Sequence, residues 1–117
     1  MVISLEEMGK KARQSAFELA QTPTSLKNAV LNKMADSLIE KEEEILTQNR
    51  LDLDKASEMP QNFTDRLTLD HDRILGMAEG LRQIAGLDDP IEEVEEMKKR
   101  PNGLLIGQKR VPLGVIG

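Results

Sequence analysis

The sequence predicts a mainly α-helical chain over residues 1–86, followed by a β-hairpin and the start of a buried strand. Three observations carry this. Capping residues and helical apolar spacings coincide up to Gly86, and Arg100-Pro101-Asn102-Gly103 has the chemistry of a tight hairpin turn. The closing run Arg110-Val111-Pro112-Leu113-Gly114-Val115-Ile116-Gly117 is, after its arginine, uncharged and β-branched, the pattern of a strand covered on both faces. Such a strand needs neighbours on both edges and layers on both faces. None of that material follows Gly117, so the chain is expected to be the front end of something longer.

Ser4 and Glu7 make a capping box, and Leu5, Met8, Ala12, Ala16 and Leu19 then recur at helical spacing, predicting a helix from about Ser4 to Ala20. Thr22-Pro23-Thr24-Ser25 breaks it and offers hydroxyl caps to a second helix. The stripe of that helix, Leu26, Val30, Met34 and Leu38 with Leu31 and Ala35 beside it, is wide enough to predict thorough burial. A third series, Ile45, Leu46, Asn49, Leu53 and Ala56, follows Lys41-Glu42-Glu43-Glu44. Three consecutive glutamates cannot share one helix face, so they read as a solvated first turn favoured by the helix dipole rather than as a metal or substrate site. Asn49, within the apolar stripe, reads as a hydrogen-bonded core group.

Met59-Pro60-Gln61-Asn62 ends the third helix. Asn62-Phe63-Thr64 fits a glycosylation acceptor, but that three-residue pattern is weak, and Asn62 is expected to cap a short helical turn through Leu67. Asp70 caps a longer helix in which Ile74, Met77, Ala78, Leu81, Ile84 and Ala85 face inward. His71, between Asp70 and Asp72, is expected in its first turn, exposed to solvent rather than catalytic. Gly76 and Gly80 each cost about 1 kcal/mol against alanine in a helix. With no strand before them and no further glycine pattern, close approach of another helix explains them better than a phosphate loop.

Asp88-Asp89-Pro90 stops the helices. From Ile91 to Val111 two extended arms flank the turn, with proline second, asparagine third and glycine fourth, which suits a type I turn closed by a left-handed glycine bulge. Arg100 then faces Leu104, and counting back sets Glu95 opposite Lys109. Lys98-Lys99 and Lys109-Arg110 could grip an anion, yet Glu92 to Glu96 lie in the same ribbon and favour cross-strand ion pairs.

Composition excludes several classes of function. Sixteen basic against twenty-one acidic residues give a net charge of −5, which argues against nucleic-acid and anionic-membrane partners, and two phenylalanines as the only aromatics leave no platform for stacking bases. The 117 residues suffice for one domain with a modest core of Leu, Ile, Val, Met and Ala. No apolar run approaches a membrane span. Met1-Val2-Ile3-Ser4-Leu5-Glu6-Glu7 has acidic residues where a secretory signal needs basic ones, and a cytoplasmic location is expected. Zero cysteines exclude disulfides, thiolate metal sites and a thiol nucleophile within these residues, and one histidine leaves no catalytic pair to build.

In order and spacing, Met8-Gly9-Lys10-Lys11-Ala12, Asp65-Arg66-Leu67, Gly76-Met77-Ala78-Glu79-Gly80-Leu81-Arg82-Gln83, Asp89-Pro90 and Arg100-Pro101-Asn102-Gly103-Leu104, leading into Arg110 to Gly117, form a recognisable series. It resembles the amino-terminal part of the gamma-glutamyl phosphate reductase (glutamate-5-semialdehyde dehydrogenase) family of the aldehyde dehydrogenase superfamily, over essentially the whole chain. The resemblance implies an α/β parent of aldehyde dehydrogenase-like fold. It also implies NADPH-dependent reduction of gamma-glutamyl phosphate to glutamate 5-semialdehyde and phosphate, in proline biosynthesis, through a cysteine thioester. In that family the nucleophile, the asparagine near the oxyanion and the cofactor loops lie beyond the position of Gly117. No catalytic, cofactor-binding or metal residue is therefore assigned here, and the segment alone is expected to be inactive and not to bind NADPH.

By the same resemblance, residues 1–87 are the helical amino-terminal part of the cofactor-binding domain. Residues 88–111 are a hairpin arm that pairs subunits in a homo-oligomer, and residues 112–117 open the first strand of the dinucleotide-binding domain. The rival reading is a small acidic helical protein-interaction module that docks a partner by adding a strand. A reading frame running past Gly117 into a cysteine-bearing segment favours the first, and a stop codon there the second.

Overall fold

The computed structural model describes residues 4–117; residues 1–3, the start of the stretch read for a secretory signal, lie outside them. Five helices precede one hairpin: α1 (Leu5–Ala20), α2 (Thr24–Glu40), α3 (Glu42–Lys55), α4 (Gln61–Leu67), α5 (His71–Ala85), β1 (Val94–Lys99) and β2 (Leu105–Lys109). Among the described residues no helix is long and apolar enough to cross a membrane. The chain divides into two compact units, one holding the chain up to Thr24 together with Asp88–Gly117, the other Ser25–Leu87.

Within the second unit, α2, the end of α3 and α5 supply a core of small or compact side chains, Ala35, Ala56, Ile74 and Ala78, with Asn49 of α3 as its buried polar member. The local signals work as the sequence suggests at two helix starts. Asp70 caps α5 by accepting the Arg73 N–H at 2.8 Å. In the first unit the Ser4 hydroxyl accepts the Glu7 N–H, and the Glu7 carboxylate accepts the Ser4 N–H in return.

Three sequence expectations fail in the second unit. Helix α2 is not thoroughly buried: Leu26, Val30 and Met34 are about half exposed, because its stripe is wider than the surrounding helices of this unit can cover. Asn62 is not the cap of α4, which starts at Gln61 with Pro60 at the cap position and no side-chain cap bond. The Pro60 carbonyl accepts the Phe63 N–H at 2.9 Å, so Asn62 is already inside the first turn, where its side chain cannot cap. Among the described residues no helix approaches Gly76 or Gly80; a Cβ at either would meet nothing within 4 Å.

In the first unit the hairpin turns as predicted. Arg100 and Leu104 close it through the Arg100 N–H and the Leu104 carbonyl at 2.7 Å, the Gly103 N–H returns to the Arg100 carbonyl at 2.9 Å, and Gly103 has the left-handed φ of +87°. The register runs from Lys99 opposite Leu105 to Glu96 opposite Gln108. Beyond that the expectation breaks: Val94, not Glu95, lies opposite Lys109, because a bulge inserts Glu95 as an extra residue. Arg110 still pairs with Glu92 and Glu93 through its backbone, while residues 111–117 are exposed and join no ladder among the described residues, and Gly114 turns at φ +91°.

Candidate functional site

The open faces of α2 and α5 define the principal concavity of the second unit. A groove of about 940 Å³ runs between them, floored by Val30, Met34 and Leu38 on one side and Met77, Leu81 and Ile84 on the other, with Ile45 of α3 at one end. Its polar lining groups are Lys33 and Ser37 of α2 and Lys41, the cap residue between α2 and α3, at four-residue intervals in the sequence. Neither lysine is in an ion pair among the described residues. No carboxylate, imidazole or backbone turn of glycines lines the groove, so it offers no acid–base pair and no phosphate cradle; what it can hold is an apolar surface with a negatively charged margin. Sequence reasoning identified the apolar stripes but read them as core and passed over the two lysines. Their i, i+8 spacing beside Val30 and Leu38 was the available signal.

His71 is where the sequence placed it, in the first turn of α5, exposed, but it is not without a partner. Its Nδ1 lies 2.8 Å and 3.0 Å from the two carboxylate oxygens of Glu42, in the first turn of α3. The Glu42 hydrogen bond first, and then its charge, raise the imidazole above its ordinary value of 6.5, with Asp72 and Asp70 adding to this and slight desolvation opposing it. Glu42 is thus partly withdrawn from the solvated acidic turn expected of Lys41-Glu42-Glu43-Glu44, its side chain 22% exposed. One imidazole and one carboxylate on converging helix starts make a tie between helices. Among the described residues no three acidic or histidine groups gather as metal ligands would.

Asn49 is the buried hydrogen-bonded group the sequence indicated: its Nδ2 donates to the Leu67 carbonyl at 2.8 Å and its Oδ1 accepts the Leu69 N–H at 2.9 Å. Arg73 ties the same connection from the other side, donating to the carbonyls of Asp65 and Thr68 and, at 3.1 Å, to the Asp65 carboxylate. Asp65-Arg66-Leu67 and Asp70 therefore work as a joint between α4 and α5.

In the first unit a shallower hollow of about 480 Å³ lies between α1, at Gly9, Arg13, Ala16 and Phe17, and the closing run at Pro112 to Val115, with the Arg13 guanidinium 5.8 Å from the centre of the Phe17 ring. Three of the four basic residues of the hairpin pairs are engaged by its own acids: Lys109 with Glu92 at 3.4 Å, Arg110 with Glu95 through Nε at 2.7 Å, and Lys98 with Glu96 at 2.9 Å. The ribbon forms no anion grip at these residues.

The dinucleotide crevice of open α/β sheets is made by the carboxyl ends of several parallel strands, whereas the one sheet among the described residues is a two-stranded antiparallel hairpin. There is no thiol anywhere in the chain.

No model of a known protein family matches the chain. Individual relatives do. It is 50% identical over 115 residues to the gamma-glutamyl phosphate reductase of Agathobacter rectalis, and 52% identical over 116 residues to that of Francisella philomiragia. Each match takes in 97% of this chain but only 28% of the relative, so the chain spans little more than a quarter of their length. Among solved structures, the gamma-glutamyl phosphate reductase of Thermotoga maritima superposes with a TM-score of 0.87 at 38% identity, over 94% of this chain and 27% of that one. The Saccharomyces cerevisiae enzyme superposes with a TM-score of 0.83 at 26% identity, over 95% and 29%. With sequence and fold agreeing over nearly all of its residues, the chain matches the amino-terminal portion of the gamma-glutamyl phosphate reductases.

Proposed function

We propose that the chain is the amino-terminal portion of a cytoplasmic NADPH-dependent reductase that converts gamma-glutamyl phosphate to glutamate 5-semialdehyde and phosphate in proline biosynthesis. The observation that carries this reading is the 50–52% identity to reductases of that name across 97% of the chain. In this role the segment is scaffold. Residues 1–87 form the helical part of the cofactor-binding domain, residues 88–111 the arm that pairs subunits in a homo-oligomer, and residues 112–117 the lead-in to the first strand of the dinucleotide-binding sheet.

No chemical step is assigned to the described residues. The nucleophile and the cofactor loops belong to the remainder of the parent. The test compares the purified 117-residue chain with the full-length parent. The parent is expected to consume NADPH when given gamma-glutamyl phosphate, whereas the chain alone neither turns over nor enhances nicotinamide fluorescence. A parent inert toward gamma-glutamyl phosphate overturns the activity; saturable micromolar NADPH binding by the segment overturns the placement of the cofactor site.

A further inference from the structure

The groove of the second unit exposes an apolar surface that a stable protein covers. Val30 and Met34 are each 49% exposed and Met77 and Ile84 48% and 54%, all on one concave face. Contiguous apolar patches of this kind mark contact surfaces. Gly80, in the lining, has nothing within 4 Å of where a Cβ would stand, so a backbone can come close there. An elongated trough between two helices accepts a third helix through its apolar face. Along one edge stand Lys33 of α2 and Lys41, the residue that joins α2 to α3, with no ion pair among the described residues and no carboxylate in the lining.

Because each relative carries more than two thirds of its length outside the match, there is polypeptide in the parent to fill the trough. We propose that the groove seats an amphipathic helix from that remaining stretch of the same polypeptide, and that this helix brings carboxylates to Lys33 and Lys41. The proposal rests on the reading of the chain as part of a longer parent, and it adds the place and the chemistry of the contact. An acidic margin fixes the rotation and register of the docked helix, which apolar contact alone leaves free to slide.

The test is zero-length carbodiimide cross-linking of the full-length parent, read by mass spectrometry after mixing ¹⁴N and ¹⁵N protein. Lys109 and Glu92, 3.4 Å apart in the hairpin, supply the reference cross-link. The expected product joins Lys33 or Lys41 to an Asp or Glu outside residues 1–117, with the two peptides sharing one isotope label. Replacing both lysines (K33E with K41E) is expected to abolish that product and leave the reference cross-link in place. Cross-links that pair the two labels, or that end within residues 1–117, overturn the proposal, and so does a reference cross-link with none at either lysine. Reductase activity of the same preparation decides the proposed function separately.

Discussion

The side chain of Asn49 holds the backbone of Leu67: its Nδ2 donates to that carbonyl at 2.8 Å from the middle of α3, while its Oδ1 takes the Leu69 N–H. One buried amide thus satisfies both a donor and an acceptor in the non-helical link between α4 and α5. Asn49→Leu fills similar space but leaves both backbone groups unpaired in a partly buried place, which costs about 1–3 kcal/mol. Urea unfolding should show a midpoint lowered accordingly at unchanged slope, and a loss below about 0.5 kcal/mol would mean that water replaces the amide.

The His71–Glu42 tie predicts a pH dependence of definite sign. The folded-state pKa of His71 is raised above 6.5 by Glu42, so the folded state binds the proton more tightly than the unfolded one. The stabilisation is therefore complete below about 6.5 and is lost as pH rises through the higher folded-state value. Proton NMR titration of the single imidazole should show the raised midpoint, and Glu42→Gln should move it back toward 6.5. An unchanged midpoint in that variant would assign the shift to Asp70 and Asp72 instead.

Gly76 and Gly80 lie within α5 with nothing near a prospective Cβ. In the 117-residue chain Gly76→Ala is expected to stabilise by about 1 kcal/mol, the ordinary helix gain. Thermal unfolding that shows a loss would place a neighbour against that face.

Gly103, at φ +87°, is the position where the hairpin requires glycine. Gly103→Val places a branched side chain in the left-handed region at a cost of about 1–2 kcal/mol or more. Loss of the cross-strand proton contacts between Lys99 and Leu105 would report it, with helical ellipticity unchanged. Intact contacts would show that the turn can be rebuilt without the left-handed residue.

The sequence by itself determined what is decided locally. Ser4, Glu7 and Asp70 satisfy orphan amides within three residues of themselves, and Pro101-Asn102-Gly103 closes its turn within five, so these features could be read from neighbouring side chains alone. Asn49 was legible too, as a lone amide in an apolar stripe, although its partners eighteen and twenty residues on were not. Tertiary structure decided the rest. The helical period of Val30, Met34, Met77 and Ile84 says that a face is apolar, but whether it is buried depends on which elements lie near it, and here those side chains stay about half exposed along a groove. The bulge at Glu95 likewise escapes the turn chemistry, because counting outward from Gly103 assumes a regular ladder. Arg110 bonds Glu93 through its backbone and Glu95 through its side chain, and that shifts the pairing by one residue. The run Leu113 to Ile116 carries strand composition yet forms none, since a strand's hydrogen bonds belong to its neighbours rather than to itself.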